Sequence, residues 1–444
     1  MVSPDYQLLD DGALQQPDSD SELVLCRYCD LLQQLPELQP GQEAHCSQCG
    51  HQLDSRHPQP ILRPVLFASS ALFMLVLTNL FPFISMRAAG TQQQMSFLDT
   101  SSVLFAVHHP ALAVLVWLFI QAIPAFCMLA VIYLKLGMIW RLPARMWMAR
   151  VLFMLKPWSM VDIFLIGLLV SFVKLASHGD LALGLSFWAF CLFCLLHLRT
   201  FQVIDRREMW ARIAPNPKPL LQATPGLSGK SQQLKVCGCC TALVPWSQKQ
   251  CSRCGDRVHG RLPSSIQKTL ALTSTAAILY LPANIYPIMI TVSMGQETHS
   301  TIVSGIRLLW QDGAYPVAVI IALASVVIPV VKILVLYWLC FLVMQGQSLR
   351  QRGSTLVFRW VDWIGRWSMV DVLVVAILAA LVRFELLMSV YPGPAAFTFA
   401  AVVIITMLAA LSFDPRLLWD ATLNKPSSDP SKHNQDSPLM EQQT

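Results

Sequence analysis

Eight long apolar runs constrain this chain more than any other feature of its sequence. A helix needs about 20 predominantly apolar residues to cross a hydrocarbon core of about 30 Å, and the runs have roughly that length. They are Val65–Met86, Ala111–Leu134, Met160–Ala176, Leu181–Leu198, Ile266–Val292, Pro316–Met344, Met369–Val390 and Ala395–Phe413. Only 13% of the 444 residues are charged, against about 25% in globular domains. The runs predict an all-α integral membrane protein with eight transmembrane helices.

Lysine and arginine residues are concentrated in alternate loops between these runs. They lie between the second and third, the fourth and fifth, and the sixth and seventh runs, whereas the opposite loops carry mostly Gln, His, Asp and Glu. The first basic loop contains Lys135, Arg141, Arg145, Arg150 and Lys156. Basic loops remain on the cytoplasmic side, so we expect both termini in the cytoplasm. The net charge of +6 then reflects membrane topology, and we expect no nucleic-acid partner.

Eight cysteines form four Cys-x-x-Cys pairs in the polar segments before the first and fifth runs. They are Cys26, Cys29, Cys46 and Cys49, then Cys237, Cys240, Cys251 and Cys254. Four thiolates complete a tetrahedral zinc site with no open position, and cytoplasmic thiols stay reduced. We therefore predict two structural zinc ribbons, with iron as the alternative because this ligand set fits either metal. Cys239 competes with Cys240, but only Cys240 keeps the two-residue spacing.

The second half of the sequence repeats the first in order and at nearly constant spacing. The repeated segments are Cys46–Gly50 and Cys251–Gly255, Asn79–Pro82 and Asn284–Pro287, Ile123-Pro124 and Ile328-Pro329, Trp158–Asp162 and Trp367–Asp371, and Asp205–Trp210 and Asp414–Trp419. Each half has an even number of predicted crossings, so the halves share one orientation. That geometry implies a pseudo-twofold axis along the membrane normal, with a site expected at the interface of the halves.

The repeat also divides the chain into domains. We predict an acidic disordered tail at 1–22, a zinc ribbon at 23–58, a transmembrane half at 62–212, a second ribbon at 232–262, a second half at 265–420 and a polar disordered tail at 421–444. The polar start lacks the basic and apolar pattern of a signal peptide, so we expect none.

Five ionisable residues fall within the predicted helices, where each costs several kcal/mol and is by default a functional hypothesis. They are Asp162, Lys174, Lys332, Asp371 and Arg383. Asp162 and Asp371 lie near the basic loops, so an interfacial ion pair competes with a working carboxylate. Lys174 and Arg383 fall near the outer ends, where snorkelling to water is the alternative. Lys332 lies near mid-span, and we favour a functional role for it with Asp371 as its partner.

Motifs of common enzymes are absent from the sequence. There is no phosphate-binding Gly-x-x-x-x-Gly-Lys-Ser/Thr loop, no nucleophile elbow and no His-Glu-x-x-His segment, which are the patterns that nucleotide hydrolysis, acyl transfer and zinc proteolysis require. We expect a protein that is not an enzyme.

The sequence from Cys26 to Trp419 resembles the paraquat-inducible protein A family (PqiA/LetA), most closely the branch that gives the family its name. Besides the paired ribbons, the resemblance rests on Asn79–Pro82, Ile123–Cys127, Val170–Lys174, Leu281–Asn284, Gly365–Met369 and Phe413–Arg416. It implies zinc in the ribbons and a multi-pass protein of the bacterial inner membrane. It also implies transfer of phospholipid to or from a periplasmic partner with mammalian-cell-entry (MCE) domains, with Lys174, Lys332 and Asp371 as matches to polar positions in the helices.

Two other functions remain open at this point. A membrane-bound redox or metal-responsive protein would use the cysteines as a sensor, and a passive scaffold would only anchor the periplasmic partner. Ribbons with four ligands each favour a structural role for the cysteines, and the intramembrane charges favour transport over a passive anchor.

Overall fold

The computed structural model describes the chain from the first ribbon to the end of the second half, with gaps. The described residues are 22–88, 91–97, 102, 105, 110–140, 142–175, 180–214, 223–293, 296–311, 313, 315–346, 351–365, 374, 383–384 and 388–423. Both predicted tails, apart from residues 22 and 421–423, lie outside this part of the chain.

The first half consists of helices with short strands at its two ends. Its helices are α1 (Leu62–Leu80), α2 (Pro110–Trp117), α3 (Ile123–Trp140), α4 (Arg145–Leu155), α5 (Val161–Leu175), α6 (Leu185–Val203) and α7 (Arg206–Ile213). Its strands are β1 (Glu22–Leu25), β2 (Leu32–Leu35), β3 (Glu43–His45), β4 (Gln52–Ser55), β5 (Ile84–Ala88), β6 (Thr91–Met95) and β7 (Asp180–Leu183). Strands β1 to β4 build ribbon 1.

The second half repeats this order of elements. Its helices are α8 (Ser265–Ile285), α9 (Ile302–Gln311), α10 (Tyr315–Ala322), α11 (Ile328–Gln345), α12 (Gln351–Gly365), α13 (Pro394–Ser412) and α14 (Leu417–Leu423). Its strands are β8 (Leu234–Val236), β9 (Leu243–Pro245), β10 (Met289–Ser293), β11 (Gln296–Ser300), β12 (Arg383–Phe384) and β13 (Met388–Pro392). Strands β8 and β9 belong to ribbon 2, so the repeat read from the sequence extends to the fold.

Six helical segments in the described part of the chain are long and apolar enough to span a membrane. They are Leu62–Leu80, Leu118–Met138, Arg145–Leu169, Leu185–Val203, Ala318–Gln345 and Pro394–Ser412. Helix α8, with 21 residues, has the length of the predicted fifth span, but its Gln, Lys, Ser and Thr residues make it less apolar. Most of the predicted seventh span lies outside the described residues. The chain is thus a multi-pass membrane protein, and the count of eight helices stays a prediction.

A π-helical segment interrupts the second membrane helix of each half at the same place. The segments are Leu118–Ala122, between α2 and α3, and Leu323–Val327, between α10 and α11. Each is followed by an Ile-Pro pair, Ile123-Pro124 or Ile328-Pro329. Proline lacks the N–H that an α-helix needs, and its ring clashes with the carbonyl one turn earlier. A wider turn relieves that clash, so the repeated Ile-Pro pair accounts for both segments.

Two antiparallel sheets correct the all-α prediction. In the first half β5 pairs with β6 and β7, and in the second half β10 pairs with β11 and β13, which also pairs with β12. Helix α1 runs from ribbon 1 to its sheet, so the sheets lie at the membrane side opposite ribbon 1. We call the two sides the ribbon side and the sheet side.

These sheets also shorten several predicted spans. Helix α1 ends at Leu80 and α8 at Ile285, because the chain turns extended just before Pro82 and Pro287, where a following proline disfavours helix. The run that begins at Leu181 starts in β7. Arg383 lies in β12 and not on a membrane helix, so its predicted position is wrong. Hydropathy does not separate an apolar strand from the end of an apolar helix.

One glycine in each half permits close packing between the sheet and the first helix. A Cβ added at Gly184 would overlap the carbonyl oxygen of Pro82, and one at Gly393 would overlap that of Pro287. The Gly184 N–H donates to the Phe83 carbonyl at 3.1 Å, and the Gly393 N–H donates to that of Ile288 at 2.8 Å. The last long helix of each half, α6 or α13, therefore begins directly against the end of the first helix of that half, α1 or α8.

We expect Gly184→Ala and Gly393→Ala each to lower the melting temperature of the detergent-solubilised protein. The added methyl must displace a backbone carbonyl, and overpacking of this kind costs about 1–3 kcal/mol. Gly305→Ala in α9 is the matched control, because no atom lies within 4 Å of its added Cβ. A melting temperature for Gly184→Ala equal to that of Gly305→Ala would contradict this account.

Candidate functional site

The eight paired cysteines form two compact clusters. In ribbon 1 the Sγ atoms of Cys26 and Cys49, and those of Cys29 and Cys46, are 3.5 Å apart. In ribbon 2 the same distance separates Cys237 from Cys254 and Cys240 from Cys251. All four Sγ atoms of each cluster lie within 4.8 Å of one another, and all eight residues are buried. Zinc bound at about 2.3 Å by four thiolates has ligands about 3.8 Å apart, so each cluster has room for one metal ion.

The backbone explains how each Cys-x-x-Cys pair converges. In ribbon 1 the amide of the residue after the second cysteine returns to the carbonyl of the first: Asp30 donates to Cys26 and Gly50 to Cys46. In ribbon 2 Thr241 donates to Cys237 and Gly255 to Cys251. The four donors have φ between 62° and 70°, which glycine adopts most readily. Both thiolates of a pair then point to one side of the turn.

The cysteine cluster of ribbon 1 packs against the second half of the chain, whereas the last strand of this ribbon contacts the first half. Its four cysteines share a hydrophobic cluster with residues of α11, α12, α14 and the start of the turn after α13: Leu339, Cys340, Leu342, Phe358, Phe413, Leu418 and Trp419. Arg359 of α12 donates to the Gly50 carbonyl at 3.4 Å, and its guanidinium lies 5.8 Å from the ring of Tyr28.

Ribbon 2 packs in the same crossed manner under the first half. Arg206 of α7 donates from Nε to the Cys239 carbonyl at 2.7 Å and from Nη2 to the Gly238 carbonyl at 2.6 Å. Arg253 donates to the carbonyl of Ala214 at 2.9 Å. Cys239 itself lies outside the four-thiol cluster, as the two-residue spacing predicts.

Charged contacts also join the two ribbons to each other and to the second half. Arg261, after ribbon 2, donates to Asp30 of ribbon 1 and to Asp420 of α14, both at 2.8 Å. The backbone N–H of Lys230 donates to Asp30 at 3.0 Å. Burial would lower the pKa of Arg261, but its bonds to the two carboxylates raise it above its usual range.

An aspartate just before the last helix of each half, α7 or α14, binds the end of a ribbon. Asp205 accepts hydrogen bonds from two amides of α7 and from the Ser55 amide at 3.0 Å. Asp414 accepts from the Arg416 amide at 3.1 Å and from the Leu262 amide at 3.0 Å. These are the first residues of the repeated Asp-x-Arg motif. The motif can be found in the sequence from the repeat. That its aspartate binds a ribbon is seen only in the folded structure.

Asp54 is held against Asp205 at the junction of ribbon 1 and the first half. Burial raises the pKa of Asp54 to about 7, and the hydrogen bond and negative charge of Asp205 act in the same direction. Arg207 opposes them, since its Nε lies 4.0 Å from an Asp54 oxygen. Arg207 also pairs with Glu22 at 2.8 Å. The protonated form of Asp54, which can donate to Asp205, is therefore favoured up to about pH 7.

The structure places the predicted intramembrane charges in different environments. Lys332 is buried on α11, with 2% of its surface exposed. Asp162 is exposed in the first turn of α5, where a helix N-terminus favours a carboxylate, and its interfacial and functional alternatives both stay predictions. Lys174 lies on α5, but its side chain is outside the described part of the structure, as is the whole of Asp371. The proposed Lys332–Asp371 pair therefore stays a prediction.

Lys135 was missed as a buried charge. The sequence predicts a basic loop at this position, but Lys135 lies within α3 and only 1% of its surface is exposed. The apolar run in the sequence ends at Leu134, one residue before it. The signal that was available is the repeat, because the position equivalent to Lys135 is Cys340, within an apolar run.

The fold and the sites together define a class: a multi-pass membrane protein built from two tandem halves with a pair of four-cysteine ribbons. The family profile described as "Paraquat-inducible protein A" matches residues 61–214 and again residues 266–422. The chain belongs to the paraquat-inducible protein A family. Both matched ranges begin after a ribbon, so the profile matches the chain twice without the paired cysteines.

Three relatives align with most of the chain. "Intermembrane transport protein PqiA" of Escherichia coli (strain K12) is 46% identical over 399 residues, which is 89% of this chain and 95% of the relative. "Lipophilic envelope-spanning tunnel protein A" of the same organism is 30% identical over 89% of this chain and 91% of its own length. A "Probable intermembrane transport protein" of Haemophilus influenzae is 25% identical over 90% and 96%. No solved structure matches the chain.

We expect Asp54→Asn to stabilise the protein, and by more at pH 8 than at pH 6. The pKa of an aspartate in the unfolded chain is about 4, below the folded value of Asp54. Below about pH 4 the raised pKa does not reduce the free energy of unfolding. Between about pH 4 and pH 7 it reduces this free energy progressively. The amide carries no charge and avoids this cost. Melting temperatures at the two pH values measure the effect.

Asp256→Asn is the matched control, since Asp256 is a partly exposed acid of ribbon 2. The melting temperature of Asp256→Asn should differ from that of the unaltered protein by the same amount at pH 6 and at pH 8. An Asp54→Asn protein that is less stable than the unaltered protein at pH 8 would show that the negative charge of Asp54 is favourable.

Proposed function

We propose that this protein is the inner-membrane component of a system that passes phospholipid between the inner membrane and a periplasmic tunnel protein with MCE domains. The names of its relatives support intermembrane transport, and one is named as part of a lipophilic tunnel that spans the envelope. The resemblance of the sequence supplies the MCE partner. In this proposal the chain transfers lipid and performs no chemical conversion.

The observation that carries the proposal is the buried ammonium of Lys332. It lies near the middle of the 28-residue span Ala318–Gln345 and is almost inaccessible. A charge at that depth is costly, and such residues mark pathways for ions or substrates. A scaffold that only anchors a partner has no use for it. Asp371, Lys174 and Asp162 remain candidates for the same pathway.

We place the ribbon side in the cytoplasm and the sheet side in the periplasm. The basic loops support this orientation, because lysine and arginine are retained on the cytoplasmic side. The sheets would then face the periplasmic partner. Both termini are cytoplasmic in this arrangement.

We further propose that each cysteine cluster holds one structural Zn²⁺. Eight buried thiols in two tetrahedral groups suit zinc, and no ligand position is left for a substrate. Iron fits the same donors and is the alternative to exclude. The ion in each cluster would hold a ribbon in shape, and the ribbons join the cytoplasmic ends of the two halves.

We expect Cys240→Ser to reduce the zinc content of the purified protein from two ions per chain to one, and to lower its melting temperature. Metal binding is part of the folding free energy of such small sites. Cys239→Ser is the matched control, because the neighbouring thiol is outside the cluster. Elemental analysis by mass spectrometry measures zinc and iron together. Two zinc ions retained by Cys240→Ser would exclude Cys240 as a ligand.

The proposed transport is tested by a photoreactive amino acid at position 332 in living cells. We expect phospholipid adducts, identified by mass spectrometry after purification, because substrate would pass within reach of Lys332. Position 278 is the control, since Ile278 is exposed on α8 and contacts bulk lipid unselectively. If position 332 gave no adduct while expression and zinc content were normal, the scaffold or sensor function would be favoured.

A further inference from the structure

Two positions of the repeat, taken together, carry one lysine in each half. Cys127 of α3 is equivalent to Lys332 of α11, because both follow the Ile-Pro pair by the same interval. Lys156 is equivalent to Gly365, because both stand two residues before the repeated Trp-Ser-Met-Val-Asp segment. The first half has Cys and Lys at these positions, and the second half has Lys and Gly. Each half therefore has one lysine at these two positions, but the lysine stands at the second position in the first half and at the first position in the second half.

In the second half the two positions are in direct contact. A Cβ added at Gly365 would lie 2.6 Å from Lys332 Nζ and 2.8 Å from its Cε. The lysine side chain therefore extends from α11 across to α12 and occupies the space beside Gly365. Any larger residue at position 365 would compete with it. A glycine at this position is what allows the amine of Lys332 to reach this point.

In the first half the same two positions are also close, with the lysine on the opposite element. Lys156 begins the 3-10 turn Lys156–Trp158 between α4 and α5, and its charge acts electrostatically on Cys127. Its Nζ lies 5.1 Å from the ring centroid of Phe201 on α6, within the range of a cation–π contact. In the first half the small residue of the two positions is Cys127, and in the second half it is Gly365.

The common result is one amine at these two equivalent positions in each half. Cys127 is near the middle of the span Leu118–Met138, and Lys332 is near the middle of Ala318–Gln345, so one of the two positions lies at mid-span in each half. Packing alone does not require a lysine there, because an apolar residue would fill the space without the cost of a charge. Both halves have an amine here although it comes from a different position in each. This indicates that the amine itself is needed.

We propose that Lys156 is the first half's counterpart of Lys332, and that the two amines form a pair of equivalent sites for the phosphate group of a phospholipid. Lysine binds phosphate as a compact positive charge. The pseudo-twofold relation of the halves gives the protein two headgroup positions, one in each half. This inference rests on the proposed transport function and adds to it the number of lipid sites and a second contact residue.

The test gives one half of the protein the residues that the other half has at the two equivalent positions. Native mass spectrometry of the full-length protein from mild detergent should show two retained phospholipids per chain, and Lys156→Met or Lys332→Met should each retain one. The double variant Cys127→Lys/Lys156→Gly gives the first half the residues of the second and should restore the second lipid. Lys332→Cys/Gly365→Lys gives the second half the residues of the first and should do the same.

Two further variants keep the test decisive if an exchange variant does not fold. Lys156→Arg keeps the charge and should retain two lipids, in contrast to Lys156→Met. Lys135→Met removes another buried amine, eight residues from Cys127 on α3 or about 12 Å along the helix, and should also retain two. Zinc content and melting temperature verify that each protein is intact.

The outcomes separate this inference from the proposed function. Two lipids retained by Lys156→Met, or one lipid retained by a folded exchange variant, would overturn the pair of sites while leaving transport through Lys332 in place. No phospholipid retained by the unaltered protein, together with no adduct at position 332, would overturn both.

Discussion

A backbone in hydrocarbon must satisfy its own hydrogen bonds, and the rest of this structure depends on that constraint. The apolar runs are helical where they cross, and strands appear only beyond helix ends, where Pro82 and Pro287 stop α1 and α8. Within the membrane the one recurrent irregularity in the described spans is the π-helical segment before each Ile-Pro pair. At this segment a wider helical turn accommodates the missing backbone N–H of proline, so the helix continues without a break.

The crossed position of the ribbons makes one unit of two tandem halves. Ribbon 1 packs on α11 and α12, and Arg206 of the first half holds ribbon 2. Each ribbon is also tied to its own half, through Asp205 or Asp414. The ribbon side therefore joins both halves through the four-cysteine ribbons, whereas on the sheet side each sheet in the described part of the chain is built from strands of one half.

An internal repeat offers a comparison within one chain. Features that both halves keep, such as the capping aspartates and the glycines at 184 and 393, serve the fold, since each meets a backbone group in the same way. Features that changed place point to chemistry. The lysine of Cys127–Lys156 and of Lys332–Gly365 belongs to this second kind. Both halves have this amine but at different positions, and packing does not explain that pattern.

The sequence by itself determined the membrane class, the two halves, the eight clustered cysteines and a buried Lys332, because hydropathy, repetition and ligand spacing are local properties. It did not determine where helices end in strands, as Arg383 shows, since an apolar strand and an apolar helix end have the same composition. The burial of Lys135, the Asp54–Asp205 contact and the crossing of the ribbons were decided only by tertiary structure. Each depends on residues that are distant in sequence and meet only in the folded chain.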